Sequence, residues 1–314
     1  MHPLPPQLPA SAHGAGALLA RGPVRGLMPW LWLQAIAALE RLHAAVASRS
    51  IVIEGRRISY LEGGFGPVVL LIHDFFQTKE AWMRFAGGLT HYYPYYRVII
   101  PDLSGFGASR ACSGDHFDIE SQTRRLHDFL RALGIERYHV LGAGMGGEIA
   151  GFLAHHWPDE VSSLALLDPD GIPSEGAAPG APGEAGAQNP GMPGAMHAFH
   201  DFLRLNFHRM PWFAFPTYAL LHHNLERHHD QLQSMLAEVQ AGAAELLPLL
   251  PDIEAPTLIL WGDHDQVAPA ASAAVAERAL PHADLDFIKD CGHLPAVEHP
   301  WETVRRYLDF IARH

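Results

Sequence analysis

Leu141-Gly142-Ala143-Gly144-Met145-Gly146-Gly147 decides how this chain reads. The apolar run Tyr138-His139-Val140 precedes it, and the helical pattern Glu148-Ile149-Ala150-Gly151-Phe152-Leu153 follows. A strand, a glycine-dense turn and a helix in that order let the backbone reverse sharply, because small residues allow strand and helix to approach closely. In hydrolytic sites built on such a turn, a nucleophilic side chain stands exposed at its apex, next to a free backbone N–H. Here the apex is Gly144, which has no side chain to offer.

Outward from this turn, continuous apolar runs alternate with helical patterns. Val68 to Ile72, Val98-Ile99-Ile100, Tyr138 to Leu141, Leu164 to Leu167, Thr257 to Leu260 and Leu285 to Ile288 read as strands buried on both faces of a parallel sheet. Ile51-Val52-Ile53 and Ile58-Ser59-Tyr60-Leu61 bracket Gly55 as a hairpin. Ile119, Leu126, Leu130 and Leu133 form one helical stripe; in a last helix that Pro300 starts, Trp301, Val304, Leu308 and Ile311 form the expected buried face. The fold class is therefore α/β, with a mostly parallel central sheet flanked by helices.

The ends and the middle differ in composition. Residues 1–26 are rich in Pro, Ala and Gly and read as disordered. Residues 27–48 read as an apolar or amphipathic helix; its run from Leu27 to Leu39 is too short to span a bilayer. Three readings stay open for it: a helix at a membrane interface with Trp30 and Trp32 at headgroup depth, a helix packed on the domain, or, less expected, a signal-peptide core. Residues 49–170 and 251–314 form the core. Residues 171–250 interrupt it as a Gly/Pro-rich loop and a helical cap, with helices over Ala195–Phe207 and Pro216–Ala241. The cap's Trp212, Phe213 and Phe215 suit a greasy wall over a pocket for an apolar ligand.

Bulk properties exclude some functions. The formal charge of −12 lacks the basic footprint that nucleic acid requires. The two cysteines, Cys112 and Cys291, indicate neither a disulfide framework nor a zinc module. The cap histidines His222-His223 and His228-His229 read as a solvated helix face, so no metal and no cofactor is expected.

Several motifs in order make the chain resemble the α/β-hydrolase superfamily from about Ile51 onward, and within it the bacterial lipases and monoacylglycerol lipases with an apolar N-terminal helix and a helical cap. They are Leu71-Ile72-His73-Asp74-Phe75 with Lys79 and Trp82 downstream, Pro101-Asp102-Leu103-Ser104-Gly105-Phe106-Gly107-Ala108-Ser109, Leu260-Trp261-Gly262-Asp263-His264-Asp265, and Asp290-Cys291-Gly292-His293. The resemblance implies an α/β-hydrolase fold in which His293 is the general base and Asp265, rather than Asp263, its acid. It also implies an oxyanion hole from the N–H groups of Phe75 and Met145, on a loop carrying His73 and Asp74. Gly144 takes the serine's position.

Three departures fall together: Gly144 for serine, Asp74 where glycine is usual after histidine, and Ala143 where polar residues are common. They read as drift or re-purposing more than as a single-residue knockout. The expectation is a lipase-like or esterase-like protein, impaired or non-hydrolytic, that keeps a pocket for a small apolar or acyl-ester ligand. Two alternatives remain: an ester hydrolase of monoacylglycerol type captured as a nucleophile variant, and a His293-based hydrolase or lyase in which Asp74 exchanges protons. Cytoplasmic location, or peripheral contact with a membrane through residues 27–39, is expected.

Overall fold

The computed structural model describes residues 27–91, 96–173, 196–210, 222, 228–241 and 246–314. The chain begins with α1 (Leu27–His43), the antiparallel hairpin β1 (Val46–Ile53) and β2 (Arg56–Gly63), then β3 (Val68–Ile72) and α2 (Met83–His91). Next come β4 (Arg97–Pro101), α3 (Ile119–Ala132), β5 (Tyr138–Ala143), α4 (Met145–His156) and β6 (Val161–Leu167). The inserted segment contributes α5 (Met196–Asn206) and α6 (His229–Ala241). The core resumes with β7 (Thr257–Gly262), α7 (Ala271–Ala279), β8 (Ala283–Ile288), α8 (Pro295–Glu298) and α9 (Pro300–Ile311).

The eight strands form one sheet in the order β1-β2-β4-β3-β5-β6-β7-β8. β1 and β2 pair antiparallel, β2 meets β4 antiparallel, and every later pairing is parallel. The hairpin turns through Glu54 and Gly55, both with positive φ (50° and 80°), the backbone that matches the twist of its strands. β3 explains why the sheet lies inside. Leu70 and Ile72 pack into the core on one face, Val69 and Leu71 into the core on the other, and all four are fully buried. Each such side chain contributes about 1.5–3 kcal/mol through burial.

Three expectations need correction. The helix expected over residues 27–48 stops at His43: Ala45 turns the chain with φ 50°, and Val46 already pairs with Gly63. Trp301 is not on the buried face of α9 but 39% exposed, and Leu308 is only half-buried; the stripe runs through Pro300, Thr303, Val304, Tyr307, Phe310 and Ile311, and Trp301 and Leu308, two turns apart, lie on its flank. His222 is buried rather than solvated, and His223 lies outside the described residues. So do residues 1–26, most of the expected Gly/Pro-rich loop, and the cap residues Trp212, Phe213 and Phe215.

Candidate functional site

The elbow between β5 and α4 sits at the carboxyl end of a central strand, where parallel sheets place their ligands. Its tightness is explained by contact: a Cβ on Gly142 would come within 1.9 Å of the Gly146 carbonyl oxygen. Gly144 has φ 52° and ψ −122°, a conformation that costs an L side chain about 1–3 kcal/mol and glycine little. Its N–H donates to the Leu167 carbonyl (3.0 Å), and its own carbonyl accepts from Gly147, Glu148 and Asp170 N–H groups.

Asp74 fills the space beside the Gly144 Cα. A Cβ on residue 144 would lie 2.2 Å from Asp74 Oδ1. That same oxygen accepts the N–H of Phe75 (2.7 Å) and the N–H of Met145 (3.0 Å), the two donors expected to form an oxyanion hole. The carboxylate does not point away from the site: it occupies the hole. Its other oxygen, Oδ2, lies 3.7 Å from His293 Nε2. Gly144 and Asp74 are therefore complementary, each permitting the other.

His293 is mounted as the sequence leads one to expect. Its Nδ1 is 2.8 Å from Asp265 Oδ2, and both side chains are buried. Asp265 is aimed by two donors to Oδ1, the N–H groups of Val267 (2.7 Å) and Ala268 (3.0 Å). Asp263 turns elsewhere, to His264 Nδ1 (2.7 Å) and the Cys291 N–H (3.1 Å). Burial alone would lower the His293 pKa, but the charge and hydrogen bond of Asp265, then the charges of Asp74 and Asp168, outweigh it and hold the imidazole well above its ordinary value.

The loop that carries Asp74 is anchored on both sides. His73 is buried, with Nδ1 2.7 Å from the Asp74 carbonyl and Nε2 3.0 Å from the Leu103 nitrogen. The Leu103 N–H requires an acceptor, so Nε2 is unprotonated and Nδ1–H donates. Burial, the largest influence, lowers its pKa to about 4. Downstream, buried Lys79 donates from Nζ to Asp102 Oδ2 (2.5 Å) and from its backbone N–H to Asp102 Oδ1 (2.9 Å). Asp102 also accepts the Ala108 N–H (2.8 Å), so two sequence motifs meet in this one carboxylate.

Three further carboxyl groups border the site, and the sequence reading passed over them as site residues. Asp168, with φ 42°, accepts the Gly262 N–H at 2.8 Å; burial and then the Asp265 charge push it well above the usual carboxylate range. Desolvation and then Asp74 push Asp170 up to about 7. Burial and then Asp170 raise Glu148. The signal was available: Asp168-Pro169-Asp170 follows β6 at the same sheet edge as the elbow. Other candidate nucleophiles are accounted for locally. Ser109 Oγ accepts the Ser59 N–H (2.9 Å), and burial drives the Cys291 thiol far up.

Phe75 and Phe106 meet edge to face (5.1 Å between centroids), as do Phe76 and Phe202 of α5 (5.0 Å). Phe75, Phe76, Gln77, Phe106 and Leu232 line a cleft of about 800 Å³ beside the Asp74 loop. Among the described residues, the donor clusters tight enough to gather an ion are His208, His264 and Asp290, and Asp168, Asp265 and His293. Neither contains His222, His228 or His229.

Comparison with known proteins agrees with this architecture. The chain is 29% identical to Lipase 1 of Psychrobacter immobilis over 285 residues, covering 88% of each. It is 25% identical to monoacylglycerol lipase ABHD6 of Homo sapiens, across 79% of this chain and 76% of that one. Among solved structures, a membrane phospholipase A, a bacterial virulence factor, superposes with a TM-score of 0.84 at 33% identity, covering 91% of this chain and 92% of the other. The profile of the alpha/beta hydrolase fold matches residues 67–300, and with the eight-stranded, mostly parallel sheet around the elbow this means that the chain belongs to the alpha/beta hydrolase family, with lipases among its relatives.

Proposed function

We propose that this protein is a lipase-like member of the family that does not carry out acyl transfer through a serine, and that its site receives a small apolar or acyl-type ligand. One observation carries the reading: Asp74 Oδ1 takes both N–H donors that would otherwise stabilise a substrate oxyanion, in the space where a serine side chain would begin. Loss of the hydroxyl alone costs roughly a million-fold in kcat in a serine protease. A carboxylate in the hole adds to that, since the donors are no longer free for charge developing on an acyl carbonyl. The lipase and phospholipase relatives support the ligand class.

The geometry of α1 supports a peripheral membrane contact. Its C-terminal half is docked by Glu40 on Arg84 (2.8 Å) and Arg41 near Glu80 (3.6 Å), yet Leu39 and Leu42 stand 64% and 76% exposed. Among the described residues no helix is long and apolar enough to cross a membrane.

Incubation with p-nitrophenyl butyrate and with a fluorophosphonate probe tests the reading. The expected result is neither turnover at ordinary esterase rates nor covalent labelling. Labelling of any serine together with such turnover overturns it.

A further inference from the structure

We propose that His208, His264 and Asp290 form a zinc site that clips the inserted segment to the two loops carrying Asp265 and His293. One ligand atom from each, a ring nitrogen from either histidine and a carboxylate oxygen from the aspartate, lie within 4.8 Å of one another. The three residues come from separate parts of the chain. His208 follows α5 of the inserted segment, His264 follows β7, and Asp290 follows β8. No ligand motif with short spacing therefore shows in the sequence, which is the reason its reading expects no metal.

Two imidazoles and a carboxylate select the ion. Zinc takes histidine nitrogen at about 2.0–2.1 Å and carboxylate oxygen at about 2.0–2.2 Å, in a tetrahedron. Calcium and magnesium favour sets made of oxygen, so two imidazoles disfavour them. Three protein ligands leave the fourth position to water, and His264 and Asp290, both exposed, give solvent access to it. The buried trio Asp168, Asp265 and His293 is the weaker candidate, because Asp265 and His293 already bond each other at 2.8 Å.

The ligand atoms are prepared for an ion. His264 Nδ1 is 2.7 Å from Asp263 Oδ1, which leaves Nε2 for the metal. A carboxylate on the far nitrogen fixes the ring and makes the near nitrogen a stronger ligand. Asp263 is itself held by the Cys291 N–H (3.1 Å), beside Asp290. The His208 and His264 rings stand 4.1 Å apart, centroid to centroid, and among the described residues no hydrogen bond occupies the His208 ring nitrogens or the Asp290 carboxylate. Asp290 on the ion and Asp263 behind it supply two negative charges to offset the two positive ones.

The backbones that carry the ligands are already fixed to one another. Buried Glu298 accepts the His208 N–H (3.2 Å) from the inserted segment and the Gly292 N–H (2.9 Å) from the loop after β8. The His264 N–H donates to the Cys291 carbonyl (2.9 Å), and the His293 N–H to the Asn206 carbonyl (2.9 Å). The contact is close: a Cβ on Gly292 would lie 2.7 Å from the Asn206 carbonyl oxygen and 2.7 Å from the His208 nitrogen. An ion bound here adds a side-chain link to this backbone junction, and so holds the end of α5 against the His293 loop.

The test uses the full chain, stripped of metal with a chelator and titrated with zinc chloride in a calorimeter, with thermal melts and amide hydrogen exchange alongside. The expected result is one saturable zinc per chain, a higher Tm, and slower exchange around both His208 and Asp290. Asp263→Asn, which changes only the group behind His264, should weaken binding about 10–100-fold. His208→Ala and Asp290→Asn, each checked for folding by its zinc-free melt, should weaken it further. His228→Ala with His229→Ala, which removes other histidines of the inserted segment, should leave it unchanged. Absence of saturable binding, wild-type affinity in either His208→Ala or Asp290→Asn, or binding that leaves exchange around His208 unaltered overturns the proposal.

Discussion

His293 and Asp265 on one side of the site, and Gly144 and Asp74 on the other, face each other across less than 4 Å. The first pair keeps the arrangement that a serine hydrolase needs: an imidazole aimed by a carboxylate that two backbone N–H groups hold in turn. The second pair fits together as a unit. Gly144 carries no Cβ to strike the carboxylate, and the carboxylate takes up the N–H groups of Phe75 and Met145. The difference teaches that a nucleophile position cannot be judged by its own residue alone, because a neighbouring loop can supply the group that fills it.

The strongest way to break this comparison is to replace the second pair in two steps. Gly144→Ser alone places Cβ 2.2 Å from Asp74 Oδ1, so it should gain no esterase activity and lose stability. Gly144→Ser with Asp74→Gly frees both donors. Each donor in an oxyanion hole is worth about 10²–10³ in rate, so the double variant should exceed the single by roughly four orders of magnitude on p-nitrophenyl butyrate. Equal activities of the two variants would show that Asp74 does not obstruct the hole.

A second test asks what holds the Asp74 side in place. Lys79→Met leaves Asp102 buried without its cation, and breaking a buried pair in this way costs about 3–5 kcal/mol. Urea unfolding checks it; a loss below about 1 kcal/mol would mean the backbone donors of Lys79 and Ala108 suffice to hold Asp102.

The two histidines bordering the site sharpen the contrast through pH, with opposite signs. His73 is neutral when folded down to about 4, whereas the unfolded chain takes up a proton near 6.5. Between those values the unfolded state holds more protons, so stability is lost as pH falls, by about 3 kcal/mol at most. His293 is raised, so its contribution is fully present below 6.5 and is lost as pH rises through its folded value. Unfolding free energies across pH should show His73→Asn flattening the acid limb and His293→Asn the alkaline one. An acid limb unchanged in the His73 variant would mean that protonation elsewhere drives it.

Much of this was legible in the chain. The strands were, because burial on both faces produces runs such as Val68 to Ile72 that no amphipathic surface element imitates. The choice of Asp265 over Asp263 came from the resemblance to the family, and in the structure Asp265 is the one that bonds His293. The direction of Asp74 was not. Whether a loop side chain turns into a site or away depends on anchors distant in sequence, here Leu103 on His73 and Asp102 on Lys79. The end of α1 was hidden for a related reason: Ala45 adopts a positive φ that favours glycine, so nothing in its identity marks the break. Trp301 misled because the buried stripe of α9 is centred on Pro300, Thr303, Tyr307 and Phe310, so an apolar residue on its flank is left outside.

The smallest expected effect separates two carboxyl groups on the His293 side. Asp168 and Asp265 both stand by His293, but they are held differently. Asp168 is pushed well above the usual carboxylate range by burial and by Asp265, so its charge is disfavoured there and an amide of the same shape is a mild replacement. Its Oδ1 accepts the Gly262 N–H, a bond that an asparagine oxygen can keep. Asp168→Asn should therefore change unfolding free energy by less than about 1 kcal/mol, within the range of a single retained hydrogen bond. Asp265→Asn removes the charge that outweighs burial at His293, so the imidazole pKa, followed by NMR, should fall. If Asp168→Asn lowers the His293 pKa as far as Asp265→Asn does, the negative charge on this side is shared between the two carboxyl groups, and Asp265 is no longer the single partner that sets the histidine's proton.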